Sequence, residues 1–580
     1  RHFLKQRFCN LNCFSPRLRG ALHSFVSFAV AIACTPSPAF AHPHHQRPAE
    51  GDPEDEAYIH TPAGFHHAGK LAVAAGNQVG SLDVKIVDRS TGEPTFCRVN
   101  VVGADGNYYE PADHPLAPWS LHRAGNRLGK GPIRYYGWFF YTPGEFHVDV
   151  PAGPVRIEVW KGYEFRPVRF TASAAAGATK KVALELERTA PMAELGYYSG
   201  DTHLHLNRRN AKDDQRALDL IAAEDIQFGY VLAMNDPRGY SGVMERQEWP
   251  QQNGFGRNSV KSRKGYTIAS GQEYRCGTYG HICLLMHDRL VLEGLTVDPN
   301  NWPVFGLVGL ETRKLGGYSF HAHGGYSQEI LADFAQRATD GVELLQFAEY
   351  RGIALDGWYR MLSIGYRFPA IGASDYPYCR AFGDCRTYVH SPERPDSAEW
   401  ARRAAGGHSF FTTGPLLLLD VEGRSPGDSI AVEDDKPRRL TARVRVRSEV
   451  APITSVELVV NGRVVETLAA PAGATGDWLE LERALTLDES SWIAARARSS
   501  SASGQPDAEA HTNPVYVSFS GKAPYREADL DWLVARLDER IKELAARRFP
   551  EQPMALEFFN KSRRELLAIR EAAGQATPKR

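Results

Sequence analysis

Residues 199–206 read SGDTHLHL, and how that stretch is read decides what must surround it. The aromatic, apolar residues just before it suit a β-strand. In a strand alternate side chains share a face, so Asp201, His203 and His205 are expected to project to the same side. One carboxylate and two imidazoles gathered at one spot form a metal-ligand pattern. A lone HxH pair is commonplace, so the reading depends on what the rest of the chain adds.

Outward from this stretch, between Leu195 and Tyr388, strand-like runs alternate with helical ones. After GYYSGDTHLHL come the helix DDQRALDLIAAEDI, the strands FGYVLAMND, GYTIASGQEY, HICLLMH and GYSFHAHGG, the helix SQEILADFAQRA, and the strands GVELLQF and RFPAIGASDY. Repeated β-then-α units imply a mostly parallel sheet with right-handed crossovers, either a barrel or a doubly wound layer. Further groups of ligand type fall at strand ends: Glu273 in SGQE, His281 opening HICLLM, His321 and His323 in FHAH, and Asp375 in GASD. In parallel α/β folds the loops at that edge surround one crevice, so these side chains are expected to face a common cavity. Histidine and carboxylate without thiolate suit zinc, manganese or iron, and Glu273 is placed to bridge two ions. One or two divalent ions are therefore expected, lowering the pKa of bound water and polarising an ester, amide or phosphoryl oxygen. Asp201 reads equally well as a cap for the helix that starts after Asn210. His287, His390 and His408 stand alone and read as structural or exposed.

The flanks read differently. From Val79 short alternating runs broken by Gly, Pro and Asp (SLDVKIVD, CRVNVVGADG, EFHVDV, GPVRIEVW, KKVALELE) predict an N-terminal β-sandwich over residues 76–190. The metal-dependent hydrolase domain is expected over 191–414. A second sandwich is expected over 415–520, from LLLLDVEG, RLTARVRVRS, SVELVVNGRVVETL and PVYVSFSG. Residues 521–580 hold two amphipathic helices separated by PEQP, a helical hairpin. The fold class expected is thus multidomain α/β and β, with roughly three to four domains for a chain of 580 residues.

A net charge of -1 gives no basic excess, so no nucleic-acid partner is expected, and a small-molecule substrate is. Near the N-terminus, Arg17 and Arg19, the apolar run Ala21–Cys34 and the small-x-small pattern PAFA ending at Ala41 predict a secretory signal over residues 1–41. That implies a periplasmic or secreted protein with no integral membrane segment after cleavage. Residues 42–75, polar and proline-rich, read as a flexible linker. Of eight cysteines, Cys97, Cys276, Cys283, Cys379 and Cys385 lie beyond the signal, and Cys379 with Cys385 or Cys276 with Cys283 could bridge. The sequence leaves the oligomeric state open.

In this order and spacing, GDTHLH, GQE followed by GH, FHAH and GASD resemble the polymerase and histidinol phosphatase (PHP) superfamily, and more closely its CehA/McbA branch of carbaryl-hydrolase-type enzymes. The similarity extends to PAGPVRIEVWKGYEFRPV and to the exit from CRTYVHSPERPD through GGHSFFTTGPLLLLDVEGRSPGD, covering roughly residues 80–520. The resemblance implies a distorted (β/α)7 barrel, flanked by β domains, with a metal centre at its C-terminal mouth. It also implies that His203, His205, Glu273 and Asp375 hold one ion, with Glu273 bridging to a second held by His281 and one or both of His321 and His323. The chain departs from the fuller pattern at Asp375-Tyr376-Pro377, where relatives carry D-x-H, at Met234-Asn235-Asp236 in place of T-D-H, and in having no histidine at the usual distance after His205. That argues against a third ion and toward a less charged ester, carbamate or amide.

The expected reaction is attack by metal-activated water, with ions stabilising the oxyanion. Catalysis is assigned to His323, Glu273 and Arg386, with whichever of His321 and His323 is not committed to metal protonating the leaving group. Arg275 and Tyr376 are candidate substrate contacts, and Trp358, Tyr359, Tyr378 and Phe382 a candidate apolar wall. No nucleophile elbow, Walker loop or dinucleotide fingerprint is present. The alternatives are a phosphoesterase with the same metals, or a non-catalytic envelope protein that binds glycan or a partner and keeps a structural metal.

Overall fold

The computed structural model describes residues 78–112, 139–206, 208–234, 254–292, 301–346, 349–376, 382–499 and 508–576, with the backbone of the short strand Phe65–His67. The signal, nearly all of the linker, Tyr378 and Cys379 lie outside the described residues.

The protein is mostly β, with several sheets and flanking helices, in keeping with a multidomain α/β and β chain. Two sheets come from residues before 190. Strands Glu145–Pro151, Val79–Asp88 and Thr179–Leu186 form one, and a second includes Cys97–Val102, Gly153–Trp160 and Val168–Ala174. Alternation along Val79–Asp88 buries Leu82, Val84 and Ile86, which meet Val99, Val101, Ile157 and Val159 from the other sheet in one core.

In the central segment Tyr197–Leu204, Phe228–Met234 and Tyr266–Cys276 run parallel. Gly280–Leu285 then turns back antiparallel, Tyr318–His321 reverses again, and Gly341–Gln346 and Ala370–Gly372 continue parallel to it. Arg386–His390 pairs antiparallel with Tyr197–Leu204, bringing the last strand back beside the first. The sheet is thus mixed where the sequence pattern read as mostly parallel. The tight turn between Tyr266–Cys276 and Gly280–Leu285 leaves no room for a helical crossover, so that pair must be antiparallel.

Strand parity sorts the side chains. Cys283 and Leu285 join Tyr230, Leu232, Phe320, Ile371 and Val389 on one face, while Ile282 and Leu284 join Val342, Leu344, Trp358, Leu533 and Phe559 on the other. The first face is plugged by Trp400 from the helix Ser397–Ala405, whose Nε1 donates to the Tyr198 carbonyl at 2.9 Å. Gly200 permits this, since a Cβ there would lie 2.3 Å from the Trp400 ring.

The expected boundary at 414/415 is not a break in hydrogen bonding. Ser409–Thr412 pairs with both Arg386–His390 and Ala508–Thr512, so one ladder continues from the central segment into the C-terminal β region. A separate sheet, Leu416–Val421, Arg438–Arg447 and Leu479–Leu487, shares a core with that ladder through Leu440, Val444, Val456, Leu458 and Ile493. The helices Glu527–Ala545 and Gln552–Ala576 dock on their own chain. Leu530, Leu533, Leu537, Phe559 and Leu566 are buried, and the Ser562 hydroxyl donates to the Ala332 carbonyl. Among the described residues no helix is long and apolar enough to cross a membrane.

Candidate metal centre

At the sheet edge reached by the ends of these strands, two groups of ligand atoms assemble, each with its atoms within 4.8 Å of one another: His203, His205 and Asp375, and Glu273, His281 and His323. All six residues are buried except His205, which is partly exposed. His281 opens its antiparallel strand, so it reaches the same edge as Glu273 at the end of the neighbouring one.

In the first group, Nε2 of His203 lies 3.2 Å from Nε2 of His205 and 3.2 Å from Asp375 Oδ1, and His205 Nε2 lies 3.1 Å from that oxygen. Bonds of about 2.0–2.1 Å to a tetrahedral ion place ligand atoms about 3.3 Å apart, so this triangle fits a first-row divalent ion. In the second group, Glu273 Oε1 is 2.7 Å from His281 Nδ1, which is 3.1 Å from His323 Nε2. Glu273 lies between the two groups, its Oε2 3.3 Å from His205 Nε2.

Neighbouring residues fix the ring orientations. Glu343 accepts from His203 Nδ1 at 2.8 Å, which turns Nε2 toward the site. Gln346 Oε1 accepts from His323 Nδ1 in the same way, leaving Nε2 toward His281. Arg275 donates through Nε to Glu273 Oε2 at 2.8 Å. Burial by itself would raise the Glu273 carboxyl, but Arg275, His281 and His203 hold it well below the usual range. Burial pushes His323 down to about 3 and His281 down as well. It would also lower His203, but Cys283, Asp375, Glu343 and Glu273 together raise it well above its ordinary value.

Two site residues adopt left-handed backbone without being glycine: Asp375 at φ 53 and His323 at φ 55. Such conformations cost free energy and collect at functional sites. A close backbone crossing holds the His323 turn, since a Cβ on Gly324 would lie 2.0 Å from the Arg351 carbonyl oxygen.

Not every residue singled out from the sequence joins the site. Asp201 does not share a face with His203, because the ladder slips between Asp201 and Leu204. Nor does it cap a helix: Asn210 caps Ala211–Ala223, accepting from the Lys212 and Asp213 amides. The Asp201 carboxylate instead receives the amides of His203, Ser374 and Gly383 and the Ser374 hydroxyl, tying three segments together beneath the site. His321 pairs in register with Ile282 and Val342, which face the helices, and its Nε2 lies 3.1 Å from Asp333 Oδ2. The two histidines of FHAH part because the strand ends at His321 and His323 sits in the turn that follows.

Arg386 donates through Nε to the Gly383 carbonyl at 2.6 Å and through Nη1 to the Glu224 carbonyl at 2.8 Å, with its guanidinium over the Tyr163 ring. It is a structural pin rather than a catalytic contact. The Tyr376 ring stacks on Phe382 in the core at 3.7 Å, and its contribution to the site is backbone, a carbonyl accepting from the His205 amide at 2.9 Å. Trp358 and Tyr359 also pack away from the ligand groups, toward Phe368 and His511. Cys276 and Cys283 are not joined in a disulfide, and Cys283 Sγ lies 3.3 Å from His203 Nδ1. His203, Cys283 and Glu343 form a third group able to hold an ion. The sequence reading missed Glu343, Gln346 and Cys283. An acidic residue inside the apolar run GVELLQF was the available signal.

No protein-family model and no curated protein matches the chain. Among solved structures it is similar to PsfC from Pseudomonas syringae PB-5123, at 18% identity and a TM-score of 0.27 over 36% of this chain and 90% of that one. It is also similar to an engineered protein, at 17% identity and a TM-score of 0.12 over 35% of this chain and 48% of that one. The conclusion that stands is chemical: the chain carries buried histidine, carboxylate and thiol groups able to hold a metal ion.

Proposed function

We propose that the chain is a metal-dependent hydrolase of an ester, amide or carbamate, built on a distorted (β/α)7 barrel of the CehA/McbA branch of the PHP superfamily and acting in the periplasm or outside the cell. The observation that carries this reading is the triangle of His203 Nε2, His205 Nε2 and Asp375 Oδ1, with edges of 3.1–3.2 Å, beside a second ligand group reached through Glu273. His203, His205 and Asp375 would hold one ion, and His281 and His323 a second, with Glu273 between them. One or two zinc, manganese or iron ions bound there would supply a Lewis acid and lower the pKa of a bound water.

The chain's own residues do the rest. Glu343 and Gln346 hold His203 and His323 in the tautomers that aim Nε2 inward. His321 is turned to Asp333, and His323 presents an unprotonated Nε2 to His281, so neither of the two histidines considered for protonating a leaving group holds a proton toward the site. Arg275, the guanidinium beside the group, is engaged by Glu273. That disposition favours a substrate of low charge over a phosphomonoester, whose charge calls for free cations.

The test is metal analysis of the purified protein together with a panel of chromogenic esters, carbamates and phosphates, beside a His203→Ala, His205→Ala double variant. Metal in the wild type, turnover of a neutral ester or carbamate, and loss of both in the variant are expected. Turnover that survives the variant removes the metal mechanism, and metal without turnover favours the binding protein.

A further inference from the structure

The sheet edge opposite the metal groups carries a feature the hydrolase reading does not use. A cleft of about 470 Å3 is lined by Arg313, Arg337 and Arg367, by Thr339, Asp340 and Tyr366, and by the buried rings of Phe334 and Phe368. Thr339 and Asp340 immediately precede the strand Gly341–Gln346, and Arg367 and Phe368 precede Ala370–Gly372, whereas the metal groups follow the other ends of these strands. The six residues of Gly341–Gln346, at about 3.3 Å each, set the two sites roughly 20 Å apart.

The charges in the cleft do not cancel. Arg313 uses up the carboxylate: its Nη2 donates to Asp340 Oδ1 at 2.8 Å, and Asp340 Oδ2 accepts from the Ser319 amide at 2.8 Å. Arg367 is held by neutral partners, donating to the Ser429 hydroxyl at 2.6 Å and lying over the Tyr516 ring. Arg337 sits at φ 54 with its guanidinium 5.6 Å from the centre of the Tyr366 ring, and among the described residues no carboxylate meets it. The Thr339 hydroxyl is buried without a hydrogen-bond partner, although Thr339 lines the cleft. A guanidinium offers a planar fork matched to the paired oxygens of a phosphoryl group, and the buried rings below lower the local dielectric. Small-molecule sites usually span roughly 300–1,000 Å3, so the cleft has room for an organic body as well as a charged head.

We propose that this cleft binds a phosphate monoester or phosphonate, its doubly charged head between Arg337 and Arg367 and its organic part against Tyr366 and Phe368. It is a ligand site separate from the metal groups and independent of the hydrolase reading.

Isothermal titration of the full chain with phenylphosphonate, in the presence of EDTA so that the histidine and carboxylate groups hold no ion, tests it. One-to-one binding that weakens with added salt is expected. An Arg337→Gln, Arg367→Gln double variant, both sites being exposed and so safe for folding, should weaken binding by at least about tenfold. The His203→Ala, His205→Ala variant should leave it unchanged. Absence of saturable binding by the wild type, binding indifferent to the arginine changes, or binding lost with the histidines would each overturn the proposal.

Discussion

Glu343 Oε2 lies 2.8 Å from Nδ1 of His203, both groups fully buried. A carboxylate can only accept, so Nδ1 keeps its proton, and an ion that displaces the second proton would meet Nε2. Glu343 also receives the Thr202 hydroxyl at 2.7 Å, which stops the carboxylate from swinging away. Removing such an orienting partner costs metal sites about 10–100-fold in affinity. Glu343→Ala should therefore lower metal affinity by that factor while leaving His203, His205 and Asp375 in place, and Glu343→Gln, which keeps an acceptor, should lose less. Metal retained after dialysis, read by inductively coupled plasma mass spectrometry, distinguishes the two. Equal retention in all three proteins would deny Glu343 the role.

Gly324 and Gly352 cross so closely that a Cβ on Gly324 would stand 2.0 Å from the Arg351 carbonyl oxygen. Gly324 also has φ +68, next to His323 in its left-handed turn. Gly324→Ala should lower stability by at least about 2 kcal/mol and release metal, because the backbone that aims His323 must move. Gly316→Ala is the control: its φ is similar at +76, but nothing lies within 4 Å of the added methyl. It should cost only about 1 kcal/mol, the penalty of the conformation alone. Thermal unfolding of both variants checks the contrast.

The ligand groups also show where the sequence could be read and where it could not. The ligand types His203, His205, Glu273, His281, His323 and Asp375 were legible, because imidazoles and carboxylates at strand ends have few other reasons to recur. Parity was not. The slip after Asp201 and the end of the strand at His321 are single-residue events, and each moves a side chain to the other face. Supporting residues such as Glu343 and Gln346 carry no spacing rule: Glu343 orients His203, 140 residues away in the chain, and Gln346 orients His323, 23 residues away. The β–α alternation was legible too, but not the continuity of the ladder past Thr412, because strand pairing leaves no mark in local composition.

Arg188 joins the N-terminal β region to the central segment. Its guanidinium donates to Glu164 at 2.6 Å and to both oxygens of Asp225 at 2.7 and 2.8 Å. Burial raises Glu164 to about 7, whereas Asp225, which burial alone would also raise, is held down by Arg188. Arg188→Met should destabilise the protein by about 3–5 kcal/mol, since two buried carboxylates lose their counter-charge. Adding Asp225→Asn should restore part of that loss, because one of the stranded charges disappears. Urea unfolding of the single and double variants measures the coupling, and strictly additive effects would contradict it.

The last prediction concerns pH and lies away from the metal groups. His511 is buried against Phe411 and Trp358, with Nδ1 donating to the Thr512 carbonyl at 2.7 Å and Nε2 accepting from the Tyr359 hydroxyl at 2.6 Å. A neutral imidazole satisfies both bonds, and a second proton would oppose the second. Burial, aided by the charge of Arg496 and opposed by the Thr512 carbonyl, holds its pKa down to about 3. The unfolded chain takes up the proton near pH 6.5, whereas the folded one does not until far lower. Stability from His511 is thus complete above about pH 6.5 and is lost as pH falls toward the folded value, amounting to about 2 kcal/mol by pH 5. His511→Gln cannot titrate, so the gap in stability between wild type and variant should narrow by that amount between pH 7.5 and pH 5. Urea unfolding of both proteins at the two pH values reads the gap directly. A gap that stays constant would mean that His511 is already protonated in the folded state or still neutral in the unfolded one.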